Sequence, residues 1–220
     1  MPVTLERVGD VSLLRFNDNE NRFTRDWLDA VDHALDDVTA QASVTPTALV
    51  TVGTAKFYSN GLNVDELAAG GEQRDSYLAT VQRLLAKLLT LGVPTVAAIN
   101  GHAFGAGAML ALAHDFRIMN AEKGFLCFPE IDLHLSFAPG MARLIQAKTT
   151  PATAVEAMTT GRRYGGPDAA AAGLVDAVAA PEELLNSAVA RAASLAGKDA
   201  ATLAAIKTEM FTVAVAALRG

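Results

Sequence analysis

One carboxylate in this chain is set among apolar residues, which makes it a candidate for acid–base chemistry. Glu130 follows Pro129 in the segment GFLCFPEIDL, and the apolar residues around it are Phe125, Leu126, Phe128, Ile131, Leu133 and Phe137. A glutamate in such a segment either bonds the backbone after the proline, faces solvent, or is held in an apolar pocket. A pocket would raise the pKa of the carboxyl group and make Glu130 a usable base near neutral pH.

Two glycine-containing segments are candidates for binding through the backbone. FYSNGLNVDEL, residues 57–67, places Ser-Asn-Gly directly after an apolar run, and Gly101–Gly107 leads into an Ala-rich helix. Ser-Asn-Gly also suits an ordinary turn after a strand. Alternatively, both segments direct backbone N–H groups at a ligand. Two such donors and one carboxylate suit enolate formation beside a carbonyl group, because the donors hold the oxyanion while the carboxylate moves the α-proton. This chemistry requires no metal and no organic cofactor, so we expect neither.

Other kinds of catalytic site find little support in the sequence. The four histidines share no metal-ligand spacing, and there is no Cys/His cluster. No G-x-S-x-G segment is present, and Cys127 has no recognisable base partner. The glycines of GHAFGAG fit neither a phosphate-binding P-loop nor a dinucleotide-binding motif. Nucleophilic catalysis, metal binding and nucleotide phosphate binding are therefore not expected.

The elements that must position these segments alternate between strands and helices. Short apolar runs predict strands at Val11–Phe16, Thr47–Val52, residues 95–100 and Phe116–Asn120. Helical periodicity fills the segments between them, for example in the helix that begins after Thr24. This order predicts an α/β fold with a largely parallel sheet.

From about residue 150 the sequence predicts helices only. Pro151 and Gly161 suit the start and end of one helix, and Pro181–Leu195 and Asp199–Leu218 are two further amphipathic segments. The last of these aligns Leu203, Ile206, Met210 and Val213 on one stripe. Such helices either close over the sheet or meet another subunit.

Composition excludes several kinds of partner. The formal charge of −6 and the pI near 5.2 leave no basic footprint for nucleic acid or anionic lipid. A single cysteine suits a reducing compartment. The N-terminus lacks a signal-peptide core, no apolar run is long enough to span a bilayer, and the C-terminal ALRG differs from a peroxisomal address. We therefore expect a soluble cytoplasmic protein without nucleic-acid or membrane partners.

Five segments, in order along nearly the whole chain, resemble the enoyl-CoA hydratase/isomerase (crotonase) superfamily. They are ENRF, FYSNGLNVDEL, VPTVAAINGHAFGAGAMLALAHDFRIM, FPEIDL and TGRRYGGPDAAAAGLVDAV. The resemblance implies an α/β fold built as a spiral of ββα units, with two nearly perpendicular sheets. It also implies a core with the active site at residues 1–149 and a C-terminal helical region at 150–220 that makes trimers, or dimers of trimers.

The resemblance also assigns roles to individual residues. It implies that the Leu62 and Ala106 N–H groups are the oxyanion donors for the thioester oxygen of an acyl-CoA, and that Glu130 moves the proton. Residues 60–64 would line the CoA arm, and the side of Lys56–Ser59 would meet the adenine. The complete implied set for substrate binding is Ser59, Asn60, Gly61, Leu62, Asn63, Val64, Ala106 and Met109.

Departures from the family pattern point to one branch of it. Hydratases of the family carry two glutamates, but the first position is Met109 here, which neither holds water nor donates a proton. One glutamate resembles the Δ3-Δ2-enoyl-CoA isomerases, and we expect that activity without a cofactor beyond the CoA of the substrate. The alternatives are hydration or thioester hydrolysis on the same scaffold, or a non-catalytic acyl-CoA-binding protein.

Other departures bear on the pocket and on the choice of base. Asn63 replaces a common Asp, which matters little if the backbone binds the substrate. Ala106 and His134 stand where glycine is usual, and we expect them to narrow the acyl pocket. If Glu130 were not the base, Asp65, Glu66 and His134 would be the next candidates.

Overall fold

The strands and helices alternate along most of the chain, and the computed structural model describes residues 1–220. The strands are β1 (Val3–Val8), β2 (Val11–Phe16), β3 (Arg22–Phe23), β4 (Ala48–Val52), β5 (Phe57–Ser59), β6 (Gly61–Leu62), β7 (Thr95–Ile99), β8 (His102–Phe104), β9 (Phe116–Asn120), β10 (Leu126–Cys127) and β11 (Ala177–Ala179). The helices are α1 (Arg25–Ala42), α2 (Val64–Ala68), α3 (Gly71–Leu89), α4 (Ala106–Leu112), α5 (Pro139–Lys148), α6 (Pro151–Thr160), α7 (Gly166–Ala171), α8 (Leu184–Ala193), α9 (Ala200–Met210) and α10 (Thr212–Arg219). The α/β class and the four predicted strands are confirmed.

The main sheet has six strands in the order β1-β2-β4-β7-β9-β11. Only β1 and β2 pair antiparallel, and every other neighbouring pair is parallel. All residues of β4 and β7 are buried, which explains their continuous apolar sequences: helices cover both faces of the sheet. The predicted, largely parallel sheet is therefore confirmed.

Two smaller sheets complete the strand arrangement. β10, β8 and β5 form a three-stranded sheet in that order, and β3 pairs with β6. Both sheets are parallel throughout. Because parallel strands end at the same edge, the residues that follow β5, β8 and β10 are brought to one edge of the three-stranded sheet. Those residues include Gly61, Gly105 and Glu130.

The core lies on both faces of the main sheet. A cluster of 45 buried residues packs α1, α3, α4 and α5 against one face, with Trp27 and Leu85 fully buried within it. A smaller cluster of 11 residues lies on the other face, where α8 presents Leu184, Ala188 and Ala192 at helical spacing. The Thr24 hydroxyl accepts a hydrogen bond from the Trp27 N–H and caps α1, as the sequence predicted.

Two expectations about the C-terminal region were wrong. The region after residue 150 is not helical throughout, because β11 adds a sixth strand beside β9. A strand of three mostly exposed residues at a sheet edge has too little apolar alternation to be predicted. The segment Asp199–Leu218 is also not one helix, since Phe211 leaves the helical conformation and α9 and α10 meet at a bend of 85°.

The predicted stripe of this segment is mostly exposed. Ile206, Met210 and Val213 are 50%, 67% and 69% exposed, whereas Leu218 of α10 is buried against the rest of the chain. The chain contains no single helix that is both long and apolar enough to cross a membrane. α9 and α10 reach that length and composition only when taken together across their bend.

Candidate active site

The turn after β5 approaches the start of α4 so closely that only glycine fits. Gly61 has a positive φ of 74°, which favours glycine. A Cβ atom at Gly61 would lie 2.6 Å from the Phe104 carbonyl oxygen and 2.9 Å from the Ala106 nitrogen. The structure therefore brings together the two segments that were predicted to carry the oxyanion donors.

Glu130 lies at the same place, beside the first turn of α4. A Cβ atom at Gly105 would be 3.5 Å from Glu130 Oε1. Gly105 has a φ of 52°, and no side chain caps the N–H groups at the start of α4. The carboxylate, the glycine turn and the uncapped start of the helix are thus neighbours, although they come from three separate segments of the chain.

The electrostatic state of Glu130 follows from its burial. Its Oε2 atom is buried without a hydrogen-bond partner. Burial raises the pKa of the carboxyl group to about 7, opposed only by a hydrogen bond from its own backbone N–H. Of the three interpretations of the sequence, a pocket is the one that the structure supports. Leu126 and Phe128 are fully buried, whereas Phe125, Ile131 and Leu133 are 40%, 50% and 58% exposed and do not enclose the carboxylate.

Ser59 was predicted to bind substrate, but its side chain is enclosed by the protein. The residue is fully buried, and its hydroxyl donates to the Asn21 carbonyl oxygen at 2.6 Å. The same hydroxyl accepts a hydrogen bond from the Gly61 N–H at 3.1 Å. Its hydrogen-bonding capacity is used within the chain, so Ser59 supports the turn instead of contacting a ligand directly.

Asn21 is a residue of this site that sequence reasoning missed. It is fully buried at a positive φ of 51°, and its amide group donates to the carbonyl oxygens of Phe57 and Tyr58. The only available signal was the ENRF segment, which pointed to the loop and not to this side chain. Its contacts span 36 and 37 residues, which no local pattern reveals.

The remaining residues of the 60–64 segment are tied to the scaffold in different ways. Asn60 donates from its backbone to the Glu20 carbonyl oxygen and from its side chain to Glu20 Oε2, both at 2.8 Å. Asn63 caps α2, because its Oδ1 atom accepts from the Asp65 and Glu66 N–H groups. Capping needs only a side-chain oxygen, so Asn serves there as well as Asp. Val64 is 58% exposed.

Met109 and the alternative bases occupy different environments from Glu130. Met109 is buried in the main core, one turn after Ala106 on α4. His134 is exposed at a φ of 56°, a conformation that suits the glycine usual there, so its side chain does not line an enclosed pocket. Glu66 forms an ion pair with Arg25 at 2.9 Å, and Asp65 is exposed.

A cavity of about 550 Å³ lies at the opposite end of the three-stranded sheet. Lys56, His102 and Phe125, at or next to the first residues of β5, β8 and β10, contribute to its lining. Strands of two or three residues extend for roughly 10 Å at most. The Lys56 side of the sheet is therefore separated by about that distance from the edge that carries Glu130.

The chain resembles known proteins over almost its whole length. The family Enoyl-CoA hydratase/isomerase matches residues 6–218. Enoyl-CoA delta isomerase 3 of Arabidopsis thaliana is 34% identical over 203 residues, which cover 89% of this chain and 85% of that protein. Carnitinyl-CoA dehydratase of Salmonella enteritidis is 35% identical over 161 residues, which cover 73% of this chain and 61% of that protein.

Solved structures confirm the fold. The structure of an enoyl-CoA isomerase from Mycobacterium tuberculosis superposes with a TM-score of 0.89 at 23% identity, covering 99% of this chain and 94% of that one. The crotonase-like fold expected from the sequence motifs is therefore confirmed. The chain belongs to the enoyl-CoA hydratase/isomerase family.

Proposed function

We propose that this protein is an isomerase of acyl-CoA thioesters that moves the double bond of a 3-enoyl-CoA to the 2-position. One observation carries the proposal: the carboxylate of Glu130 lies beside the uncapped start of α4 and has one buried oxygen without a hydrogen-bond partner. The similarity to the Arabidopsis thaliana delta isomerase supports the same reaction class.

In the proposed mechanism, the Leu62 and Ala106 N–H groups bind the thioester oxygen of the substrate. Glu130 removes a proton from C2, and the electron pair of that C–H bond delocalises through C3=C4 and the thioester to give a dienolate. The protonated carboxyl group then returns the proton to C4, which leaves the double bond between C2 and C3. Removing one oxyanion donor typically costs about 3–4 kcal/mol of barrier, so both amides would carry much of the rate.

The other proposed substrate-binding residues would shape the site. We assign residues 60–64 to the CoA arm, next to the turn at Gly61. Met109 would supply shape to the acyl pocket and no proton. The proposed substrate brings its own CoA, and the mechanism uses no further cofactor.

Hydration on the same scaffold is the main alternative, and the composition of α4 argues against it. Hydration needs one group to activate water and another to deliver a proton, but α4 (AGAMLAL) carries no carboxylate. Glu130 would have to perform both tasks. The formation of 3-hydroxyacyl-CoA from a 2-enoyl-CoA, at a rate well above that of Glu130→Gln, would favour the alternative.

Ultraviolet absorbance tests the isomerase directly. Conjugation of the double bond with the thioester raises the absorbance when a 3-enoyl-CoA is mixed with the enzyme. We expect a rise with the wild type and with Glu156→Gln, an exposed glutamate paired with Arg162, but not with Glu130→Gln. A flat wild-type trace for several chain lengths would contradict the proposal. A flat trace with intact acyl-CoA binding by calorimetry would instead indicate a non-catalytic binding protein.

We also propose that the protein assembles as a homotrimer or a dimer of trimers through its C-terminal helices. The exposed apolar side chains Ile206, Met210 and Val213 support this proposal, because burying them between subunits removes apolar surface from water. Light scattering should give a trimeric or hexameric mass that falls in a Met210→Glu/Val213→Glu variant. A monomeric wild type at all concentrations would contradict it.

A further inference from the structure

We propose that Ser59, which is held in place by Asn21, is a positioning residue that sets the spacing between the two oxyanion donors. The inference rests on the proposed function, since it concerns the Leu62 and Ala106 N–H groups of that mechanism. Neither side chain would touch the substrate, because both are fully buried. They would act by holding the backbone segments that carry the Leu62 and Ala106 N–H groups.

The loop at Glu20–Arg22 holds the segment 57–62 at successive positions. The Asn21 amide donates to the carbonyl oxygens of Phe57 and Tyr58, both at 3.2 Å. The Glu20 carbonyl oxygen accepts from the Asn60 N–H at 2.8 Å, and Arg22 Nη1 donates to the Leu62 carbonyl oxygen at 3.3 Å. The course of the backbone up to Leu62 is therefore fixed by side chains and backbone of this loop, and not by a regular sheet alone.

Ser59 contacts both segments that carry the proposed donors. Its hydroxyl accepts from the Gly61 N–H, one residue before Leu62, and donates to the Asn21 carbonyl oxygen. On its other side Ser59 lies against α4. A Cβ atom at Gly107 would be 2.2 Å from the Ser59 carbonyl oxygen and 2.9 Å from its Cβ atom. Gly107 directly follows Ala106, so Ser59 is wedged between the two donor segments.

Asn21 combines two properties that other residues do not share. Asparagine tolerates the left-handed conformation, here with a φ of 51°, better than most residues. Its amide nitrogen also has two hydrogens, one for each of the two carbonyl oxygens that it binds. Aspartate would tolerate the conformation but would place oxygen against oxygen. The chemistry of the position thus requires an amide.

Displacement of the donors should affect the transition state more than substrate binding. Oxyanion donors act at 2.7–3.1 Å from the oxygen, and a small shift of one amide weakens its contact with the developing charge. The CoA arm would contact other atoms of the 60–64 segment. Loss of the Ser59 hydroxyl should therefore lower kcat while leaving KM and acyl-CoA affinity nearly unchanged.

The test compares Ser59→Ala with Ser12→Ala. Ser12 is a buried serine on β2 whose hydroxyl accepts from Arg7 at 3.4 Å, so it controls for the loss of a buried hydroxyl elsewhere. Each variant is assayed for kcat and KM with a 3-enoyl-CoA. Each is also titrated with 2,4-hexadienoyl-CoA, whose absorbance maximum shifts to longer wavelength when oxyanion donors polarise its carbonyl group.

We expect Ser59→Ala to lower kcat by about tenfold, a part of the ~10²–10³-fold loss typical of removing a whole donor. Its bound dienoyl-CoA should show a smaller red shift than in the wild type, with the Kd changed by less than about threefold. Ser12→Ala should match the wild type in kcat and red shift. If Ser59→Ala does not fold, Ser59→Cys, which keeps a weaker hydrogen-bonding group, should show the same effects to a smaller degree.

Wild-type kcat and red shift in a folded Ser59 variant would overturn the inference, as would a parallel loss of kcat and affinity. The proposed function fails separately: a wild type that neither turns over 3-enoyl-CoA nor shifts the dienoyl-CoA spectrum would remove the isomerase. A wild type that does both, with a Ser59→Ala variant that equals it, would remove only the positioning role.

Discussion

Two groups of buried titratable residues differ in how completely their polar atoms are satisfied. One is Glu130, with an unpartnered carboxylate oxygen. The other is a buried charge cluster, which consists of His114, Asp115, Arg117, Lys148 and Lys207. In this cluster the Lys207 Nζ atom donates to the Leu91 and Val93 carbonyl oxygens and to Asp115, all within 2.7–2.9 Å. Glu130, Asp115 and Lys148 are partly buried, and His114, Arg117 and Lys207 are buried, but of these residues only Glu130 has a buried polar atom without a partner.

Both ring nitrogens of His114 in this cluster have a hydrogen-bond partner. Its Nδ1 atom lies 2.9 Å from the Leu110 carbonyl oxygen, which can only accept, so Nδ1 carries the hydrogen. Nε2 must then accept from the Thr51 hydroxyl, which in turn accepts from the Tyr58 hydroxyl. Burial lowers the pKa of His114 to about 3, and the ring stays neutral.

The two cases differ in the hydrogen-bonding capacity that remains for a ligand. A buried polar group whose partners are all supplied by the chain stabilises the fold and has no capacity left for a substrate. A carboxylate with a free, desolvated oxygen and a pKa near 7 can bind and release a proton at physiological pH. A shifted pKa alone does not distinguish the two cases, because His114 and Glu130 are both shifted strongly.

The largest expected effect is on activity at Glu130. Glu130→Gln keeps the volume of the side chain and removes the proton shuttle, so isomerase turnover should fall by at least ~10²–10⁴-fold. Its stability should not fall, because ionisation of a carboxyl group whose pKa is raised by burial costs folding free energy at neutral pH. Absorbance assays and thermal unfolding at pH 8 check both parts. A Gln variant that keeps most of the turnover would place the base elsewhere.

The opposite behaviour is expected for Lys207. Lys207→Met removes the cation of a largely buried ion pair, so that Asp115 keeps the Thr95 N–H as a donor but loses its counter-charge, and the Leu91 and Val93 carbonyl oxygens lose the ammonium donor. Such changes typically cost about 3–5 kcal/mol of unfolding free energy. Urea denaturation measures this loss. The folded fraction should retain near wild-type turnover. A Lys207→Met variant as stable as the wild type would show that the hydrogen bonds of this cluster do not stabilise the fold.

Histidine 114 should contribute to unfolding by acid. Its folded pKa of about 3 lies below its ordinary value of 6.5, so its contribution to stability is complete above pH 6.5 and is lost as the pH falls toward 3. The stability advantage of the wild type over a His114→Gln variant should shrink by up to about 1.4 kcal/mol for each pH unit in this range. Denaturation series from pH 7 to 4 check the trend. An advantage that is constant with pH would mean that His114 is not held neutral.

The smallest expected effect is the pH dependence of turnover. Glu130 must be ionised to accept a proton, so kcat/KM should be constant above its raised pKa of about 7 and fall with decreasing pH below it. The limiting slope is about tenfold per pH unit for a single group. Rate measurements from pH 5 to 9 test this. A midpoint near 4.5 would indicate an ordinary, solvated carboxylate.

The sequence predicts the parts of this molecule whose causes are local. The alternation of apolar runs and amphipathic segments predicted the α/β class, and the apolar segment around Glu130 predicted the direction of its pKa shift. However, Ile131 and Leu133 are about half-exposed. Their apolar residue types alone do not determine which way the backbone turns after Pro129. β11 was not predicted, because a strand of three mostly exposed residues is too short to show a period of two.

Contacts between distant segments could not be predicted at all. Lys207 and Asp115 are 92 residues apart, and Ser59 and Asn21 are 38 apart. The first pair depends on how α9 packs beside the turn before β9, and the second depends on how the loop before β3 is held against the end of β5. A serine in a turn and an asparagine in a polar loop give no sign in the sequence that they will meet.

The parallel order of β5, β8 and β10 has a consequence for folding. Each of these strands contacts a partner from a distant part of the chain, and a parallel pair cannot be joined by a hairpin. Contacts of large sequence separation form slowly, because long loops must close before they gain any stabilisation. Helices such as α1 and α3 can form early from local interactions. The pocket around Glu130 has no local precursor of this kind. It forms only when β5, β8 and β10 have paired and the segments at Gly61, Gly105 and Glu130 lie side by side.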